Sequence, residues 1–395
     1  MKKNDIGADA IILHKKLGGK IRIESAMKVM SRAELSLIYT PGVAAVSSLL
    51  AHPSTSSGQA KLARDYTIKG KMIAVVSDGS AVLGLGNIGP YGALPVMEGK
   101  CALFKTFAGV DAFPIVLDTT SPRLRSASTQ ERMDFIVETI CAIAPAFGGI
   151  NLEDIAAPHC FYIEEELKRR LDIPVMHDDQ HGTAVVILAA LINAARVVKK
   201  DIKKLRVVVS GAGAAGSAST SLLLKAGIKD IVVLDRKGVL DRSRTEPHKK
   251  ALAAKTNPRR VHGGLREALA GADVLLGVSG PGLATAADIA LMAPRSIVFA
   301  MANPTPEIMP QEAKRGGAVV VGTGRSDYPN QINNSLAFPG IFRGALETQV
   351  RQITDAMKIQ AAKNLAALVK RPNAERVVPG PFDPGVSAAV AKAIQ

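Results

Sequence analysis

An α/β fold in two parts follows from three features of the sequence. Apolar strand-like runs alternate with helical ones from Leu205 to Gly322, a glycine-rich turn stands directly behind one of those strands, and two acidic pairs each follow a short apolar run in the first half. Strands that alternate with helices build a parallel sheet buried on both faces. A glycine turn between strand and helix is where a dinucleotide phosphate is ordinarily held. The boundary is expected near residue 180. Residues 1–178 are read as an α/β substrate- and metal-binding domain. Residues 179–395 are read as a Rossmann-type, doubly wound parallel sheet that binds NAD(P), with a C-terminal helix and tail.

The elements of the first part come in order. Residues 1–50 read as helical segments, with Tyr39-Thr40-Pro41-Gly42-Val43 as a turn that opens another helix, since Pro is tolerated in a first helical turn. The small polar run 52–60 reads as an exposed loop, and 52–64 as a surface insertion. Met72–Ser77 and Phe113–Leu117 read as buried strands. Helical periodicity covers 129–146. Gly149–Leu152 is a short strand, Phe161–Leu171 a helix and Ile173–Met176 a strand. In the second part Thr183–Val198 is an Ala-rich helix. Strands follow at 205–210, 231–235, 274–278, 296–300 and 318–322, with helices at 217–226, 265–270 and 286–292. A single long helix is expected over 344–369, followed by a Pro-rich tail.

Composition bounds the function. With 395 residues, 47% hydrophobic and 22% charged, the chain has the make-up of a soluble globular protein of more than one domain. The net charge is +15, yet Lys and Arg are scattered and no basic stripe is interleaved with aromatics, which argues against a nucleic-acid partner. A positive field also attracts small polyanions such as dinucleotides and dicarboxylates. Cys101, Cys141 and Cys160 lie far apart without a CxxC, so neither a zinc site nor a disulfide framework is expected, and a cytoplasmic location fits. Neither a leader nor an uninterrupted apolar run of membrane-spanning length is expected.

The pattern GxGxxG occurs twice, and context separates the copies. Gly84-Leu85-Gly86-Asn87-Ile88-Gly89 lies well past its strand, and Pro90 is expected to interrupt any helix behind it. This copy is read as backbone packing around another pocket. Gly211-Ala212-Gly213-Ala214-Ala215-Gly216 follows the strand LRVVVS directly and opens a helix. Gly211 suits the tight turn, Gly213 the approach of a pyrophosphate, and Gly216 close helix–strand packing. Asp235 ends the next strand, where a carboxylate accepts hydrogen bonds from the adenosine ribose. That favours NAD. Arg236 and Lys237 follow immediately and leave NADP open.

Glu153-Asp154 and Asp178-Asp179 each follow a strand, where sites collect in open α/β sheets. Carboxylates from two strand ends can hold a hard divalent cation, Mg²⁺ or Mn²⁺, through oxygen. His177 and His181 flank the second pair and are read as hydrogen-bonding wall residues rather than ligands.

Together these segments resemble the malic enzyme family. The runs that carry the resemblance are YTPGVA (39–44), SDGSAVLGLGNIGPYGALPVMEGK (77–100), FAGVDAFPIVLD (107–118), INLEDIAAPHCF (150–161), HDDQHGTA (177–184), MANPTPEI (301–308) and NQINNSLAFPGIFRGAL (330–346). The resemblance implies metal-dependent oxidative decarboxylation of L-malate to pyruvate and CO₂ with reduction of NAD(P), together with decarboxylation of oxaloacetate. It implies Tyr39 as general acid, Lys100 as general base with Asp178 beside it, and Glu153, Asp154 and Asp179 as metal ligands. Asn303, Asn333 and Asn334 are implied to contact malate and the nicotinamide end, and a homodimer or higher homo-oligomer is implied as the assembly. Ala81 stands where eukaryotic-type relatives carry an arginine that grips a substrate carboxylate. The motifs alone leave two other classes open: another Rossmann dehydrogenase, and a nucleotide-binding regulatory protein without catalysis.

Overall fold

The computed structural model describes residues 6–52, 56–82, 84–122 and 124–395. Among the described residues, ten strands form two sheets. In the first, β1 (Met72–Ser77), β2 (Asp111–Val116), β3 (Gly149–Leu152) and β4 (Val175–His177) lie in the order β2-β1-β3-β4, with every pairing parallel. The second comprises β5 (Arg206–Ser210), β6 (Asp230–Asp235), β7 (Gly238–Val239), β8 (Val274–Gly277), β9 (Ser296–Ala300) and β10 (Ala318–Thr323). Its order is β10-β9-β8-β5-β6-β7, parallel except for the short β6–β7 hairpin. Apart from β2 at the edge of the first sheet, whose residues are all half-buried rather than buried as expected, the parallel strands are mostly buried and rich in Val, Ile, Leu and Ala, as sheets covered on both faces require.

The chain leaves β5 toward β6 on one side and later reaches β8 on the other. The carboxyl end of β5 is therefore a topological switch point, where open α/β sheets bind ligands. In the first sheet β1 is likewise flanked by β2 and β3, and the acidic pairs follow β3 and β4.

One core runs through both sheets. The helix Asp178–Val197, expected from its Ala-rich run, packs between them and is buried along most of its length. The helix Phe338–Thr348 returns to the first sheet, where Phe338 and Phe342 meet Phe104 edge-on at centroid distances of 4.8 and 5.6 Å. Such pairs add roughly 0.5–1.5 kcal/mol beyond area burial.

Several expectations are corrected. The stretch read as a loop at 52–60 is helical from Ser56 to Tyr66, because AKLAR carries strong helix formers; residues 53–55 lie outside the described residues. Pro90 does not interrupt a helix. It sits in the first turn of Gly89–Ala108, where its missing N–H has no intrahelical partner to lose. The single helix expected over 344–369 is two, Phe338–Thr348 and Asp355–Ala367, divided where Gln349 turns left-handed at φ 55° and Thr354 caps the second. The tail carries a further helix, Val386–Ala391. By length and composition two stretches, Arg32–Ala51 and Asp178–Val197, do reach membrane-spanning length. The second is the buried central helix, and the first is two helices on either side of Pro41.

Candidate active site

Glu153 and Asp154 emerge from β3, and Asp178 and Asp179 begin the helix behind β4. Their position at adjacent strand ends brings Glu153, Asp154 and Asp179 together, with one carboxylate oxygen from each within 4.8 Å of the others. Local backbone fixes the cluster. Asp154 takes a left-handed φ of 52°. Its N–H donates to Asp179 Oδ2 at 2.9 Å, and its carbonyl accepts the Ala81 N–H at 2.9 Å. Ala81, in the place of the arginine of eukaryotic-type relatives, thus ties the glycine-rich segment of the first sheet to the cluster through its backbone.

Lys100 reaches the same point from the middle of the helix Gly89–Ala108. Its Nζ lies 2.5 Å from Asp178 Oδ2 and 3.1 Å from Glu153 Oε1, and 4.6 Å above the ring of Phe338. The side chain is only 14% exposed. Burial lowers the ammonium pKa, but Asp178, Glu153 and Asp179 together outweigh it and hold the pKa above its usual value. The carboxyls respond in kind. Burial first, and then the neighbouring carboxylates, push Glu153 and Asp178 upward in spite of Lys100.

One ammonium thus faces four carboxylates, and the buried atoms Glu153 Oε2 and Asp178 Oδ1 have no hydrogen-bond partner. Buried charge without a partner is costly, and oxygen-only donors suit a hard divalent cation. The residues present therefore fit Mg²⁺ or Mn²⁺.

Of the two histidines only His181 hydrogen-bonds through its ring, whereas among the described residues neither ring nitrogen of His177 has a hydrogen-bond partner. Both His177 ring nitrogens are buried, with Nδ1 3.8 Å from Asp179 Oδ2. His181 turns away from the cluster, with Nε2 3.0 Å from Glu164 and Nδ1 3.1 Å from Lys358 Nζ. Sequence reasoning missed Glu164. This buried carboxylate accepts the His177 N–H at 3.0 Å and the Gln180 amide at 3.2 Å, and it pairs with Lys168 at 2.7 Å. It braces the turn that presents Asp178 and Asp179. Nothing in the pattern EEELKRR distinguishes it from its solvated neighbours.

Asn334 stands over the start of the central helix. A Cβ added at Gly182 would fall 1.8 Å from Asp178 Oδ1 and 3.3 Å from Asn334 Cβ. Asn333 caps the turn beside it by accepting the Ser335 N–H. Asn303 is exposed beyond β9, and its carbonyl packs against Gly84 of the first glycine motif. That motif therefore packs against the second half of the chain. Tyr39 stands apart from the cluster. Its ring is 66% exposed, and among the described residues its hydroxyl makes no hydrogen bond to Lys100 or the carboxylates.

The second glycine motif lies at the switch point of the larger sheet. Gly211 has φ +123°, its N–H donates to Leu234 O, and an added Cβ would fall 2.5 Å from Val278 O. A Cβ at Gly216 would fall 1.8 Å from Gly211 O, whereas at Gly213 nothing lies within 4 Å. Gly213 caps the helix Ala214–Lys225, so Ala212, Ala214 and Ala215 flank an open helix N-terminus suited to phosphate. Asp235 and Arg236 end β6 beside it.

Comparison with known proteins identifies the family. Residues 19–168 match the family "Malic enzyme, N-terminal domain" and residues 180–394 the family "Malic enzyme, NAD binding domain". The chain is 50% identical to the bifunctional malic/malolactic enzyme of Bacillus subtilis over 98% of this chain and 91% of that one. It is 51% identical to the NAD-dependent malic enzyme of Geobacillus stearothermophilus over 96% of this chain and 76% of that one. Among solved structures, the NAD-dependent malic enzyme of Thermotoga maritima superposes with a TM-score of 0.90 at 45% identity, covering 98% of each chain. With both halves matched in order and relatives at this identity spanning nearly the whole length, the chain belongs to the malic enzyme family.

Proposed function

We propose that malate is oxidised and decarboxylated in the cleft where Glu153, Asp154 and Asp179 meet Lys100. The family membership makes the chain an NAD(P)-dependent, malate-oxidising decarboxylase. The observation that carries the placement is the contact of Lys100 with Asp178 and Glu153 at the mouth of the acidic cluster. A divalent cation, Mg²⁺ or Mn²⁺, held by the three carboxylates would polarise the substrate's hydroxyl and carboxylate oxygens as a Lewis acid. The second glycine turn would hold NAD(P), which would supply the hydride acceptor.

The chain's own residues handle the protons. With the carboxylates that keep Lys100 protonated offset by a bound divalent cation, Lys100 in its neutral form takes the proton of the C2 hydroxyl as hydride leaves that carbon. Asp178, 2.5 Å away, holds and orients the Lys100 side chain at the cluster. Loss of the C4 carboxylate as CO₂ leaves an enolate, and Tyr39, which is exposed in the single chain and would reach the cleft only once that surface is covered, protonates its C3 to give pyruvate. Asn334, beside Asp178, and Asn333 and Asn303 contact the substrate and the nicotinamide end. Ala81 offers no charge, so the C1 carboxylate relies on these amides and on the cation.

The two domains divide at 178/179. A homodimer is supported by the apolar side chains exposed through the N-terminal segments, among them Ile6, Ile11, Ile23, Met30 and Leu37; Tyr39 lies in that surface, so a contact there would enclose its ring. Three unpaired cysteines support a cytoplasmic location. The test is a spectrophotometric assay with malate and Mn²⁺ that also counts CO₂. Equal amounts of reduced nucleotide and CO₂ support the reading. Nucleotide reduction without CO₂ would favour another dehydrogenase.

A further inference from the structure

Glu307 is a carboxylate inside the nucleotide-binding half that takes no part in the chemistry at the acidic cluster. It is 1% exposed, and among the described residues no cation pairs with it. Its Oε1 accepts the Ser279 N–H at 2.8 Å, and its Oε2 accepts the Ala302 N–H at 3.0 Å. These are the first donors beyond the sheet on two neighbouring strands. The last bonds between strands run from the Val278 N–H to Ser210 O and from the Met301 N–H to Gly277 O, both at 2.9 Å. One side chain thus takes up both backbone donors where β8 and β9 give way to loops. Burial pushes its carboxyl pKa upward, and the Ser279 and Ala302 N–H groups draw it back only in part.

The surrounding backbone is shaped for this contact. A Cβ at Gly277, the last residue of β8, would fall 2.6 Å from Glu307 Cδ. The chain around Glu307 ties down the loop after β8 twice more. The Gly282 N–H donates to Pro306 O at 3.2 Å, and the Ala284 N–H to Glu307 O at 3.1 Å.

The two loops lead to different parts of the nucleotide site. Ser279 packs on the second glycine turn, with its Cβ 3.2 Å from where a Gly211 Cβ would stand and its Oγ 3.4 Å from Ser210 Oγ at the end of β5. Ala302 precedes Asn303, whose carbonyl meets Gly84 of the first half. Glu307 therefore links the pyrophosphate turn to the loop that carries Asn303. Hydride transfer needs its two carbons held about 3–3.5 Å apart, so the separation of these loops bears on the rate.

We propose that Glu307 is a positioning residue that locks the loops after β8 and β9 into one wall and so sets where the nicotinamide ring stands relative to Lys100 and Asp179. The placement of the nicotinamide rests on the malic enzyme reading; the clamp does not. Glutamine keeps the size of the side chain but offers one acceptor oxygen to two donors, and its NH₂ group opposes the second N–H.

NADH and ADP-ribose, which lacks the nicotinamide, are each titrated by calorimetry into the full-length parent and the Glu307→Gln variant. Malate oxidation with Mn²⁺ is assayed with NAD and with NADP. The variant is expected to bind NADH about tenfold more weakly, to bind ADP-ribose nearly as the parent does, and to lose about 10²-fold in kcat. Affinities for NADH and ADP-ribose that move in parallel, or an unchanged kcat in a folded variant, overturn the proposal. Amide hydrogen exchange of the parent tests the clamp without any substitution. The Ser279 and Ala302 amides should be protected like those of β8 and β9, and exchange as fast as in exposed loops would overturn it. A parent that reduces neither coenzyme with malate, while the variant loses NADH affinity selectively, would leave the proposal standing and sink the catalytic reading. A parent active with malate, whose variant weakens both ligands alike, would do the reverse.

Discussion

Lys100 Nζ lies 2.5 Å from Asp178 Oδ2. That contact joins the only ammonium at the acidic cluster, among the described residues, to a carboxylate that is fully buried and whose other oxygen is unpartnered. Its geometry depends on a residue with no side chain. A methyl at Gly182 would fall 1.8 Å from Asp178 Oδ1. Gly182→Ala is therefore expected to displace Asp178 and lower kcat by about 10²-fold, the usual cost of a catalytic group moved by about 1 Å. Circular dichroism should show the fold retained. Unchanged kcat in a folded variant would contradict the role given to the Lys100–Asp178 contact.

Asp179 belongs to the proposed cation cage and also accepts the Asp154 N–H. Asp179→Asn should weaken Mn²⁺ binding by more than about tenfold, since even residues that merely orient ligands cost roughly 10–100-fold. Electron paramagnetic resonance of free Mn²⁺ during a titration reads this directly. An unchanged dissociation constant excludes Asp179 as a ligand.

Glu164 carries a separate load. Burial would raise its pKa, but His181 and Lys168 outweigh it and hold the carboxylate well below its usual value. A depressed folded-state pKa contributes stability above the unfolded value, about 4.3, and that stability is lost as pH falls through the folded value. Glu164→Gln is expected to cost about 3 kcal/mol at pH 7, as for one partner removed from a buried ion pair. The gap between parent and variant should narrow below about pH 4. Urea midpoints at neutral and acid pH check this, and a gap that widens toward acid would reverse the sign.

At the nucleotide turn, Gly211→Ala would meet both a positive φ and Val278 O at 2.5 Å. Loss of NADH or NADPH fluorescence enhancement is expected at concentrations that saturate the parent. Retained binding would show that the turn relaxes without disturbing the pyrophosphate site.

Most of the architecture was legible because its signals are local. Alternating apolar runs gave nine of the ten strands, and the copy of GxGxxG set directly behind a strand proved to be the one at the switch point. β7 escaped because two residues carry no periodicity. The single helix expected over 344–369 failed because Gln349 gives no sequence signal for its left-handed turn. The acidic pairs were legible from their strand ends. Lys100 was not: its place in the site depends on a helix that Pro90 seemed to forbid, and only the family resemblance singled it out. Glu164 escaped both routes, since its importance lies in four donors brought together from β4 and two helices. Tyr39 was singled out by resemblance alone, and in the single chain it remains on the exposed surface.

The central claim is that Lys100, held by Asp178 and Glu153, is the base that starts malate oxidation. Lys100→Ala, assayed for malate-dependent nucleotide reduction with Mn²⁺ across a series of added methylamine concentrations, tests it most directly. The account predicts a loss of about 10²–10⁴-fold without amine and a rate that climbs with methylamine. Near-parental turnover in the absence of amine would contradict it.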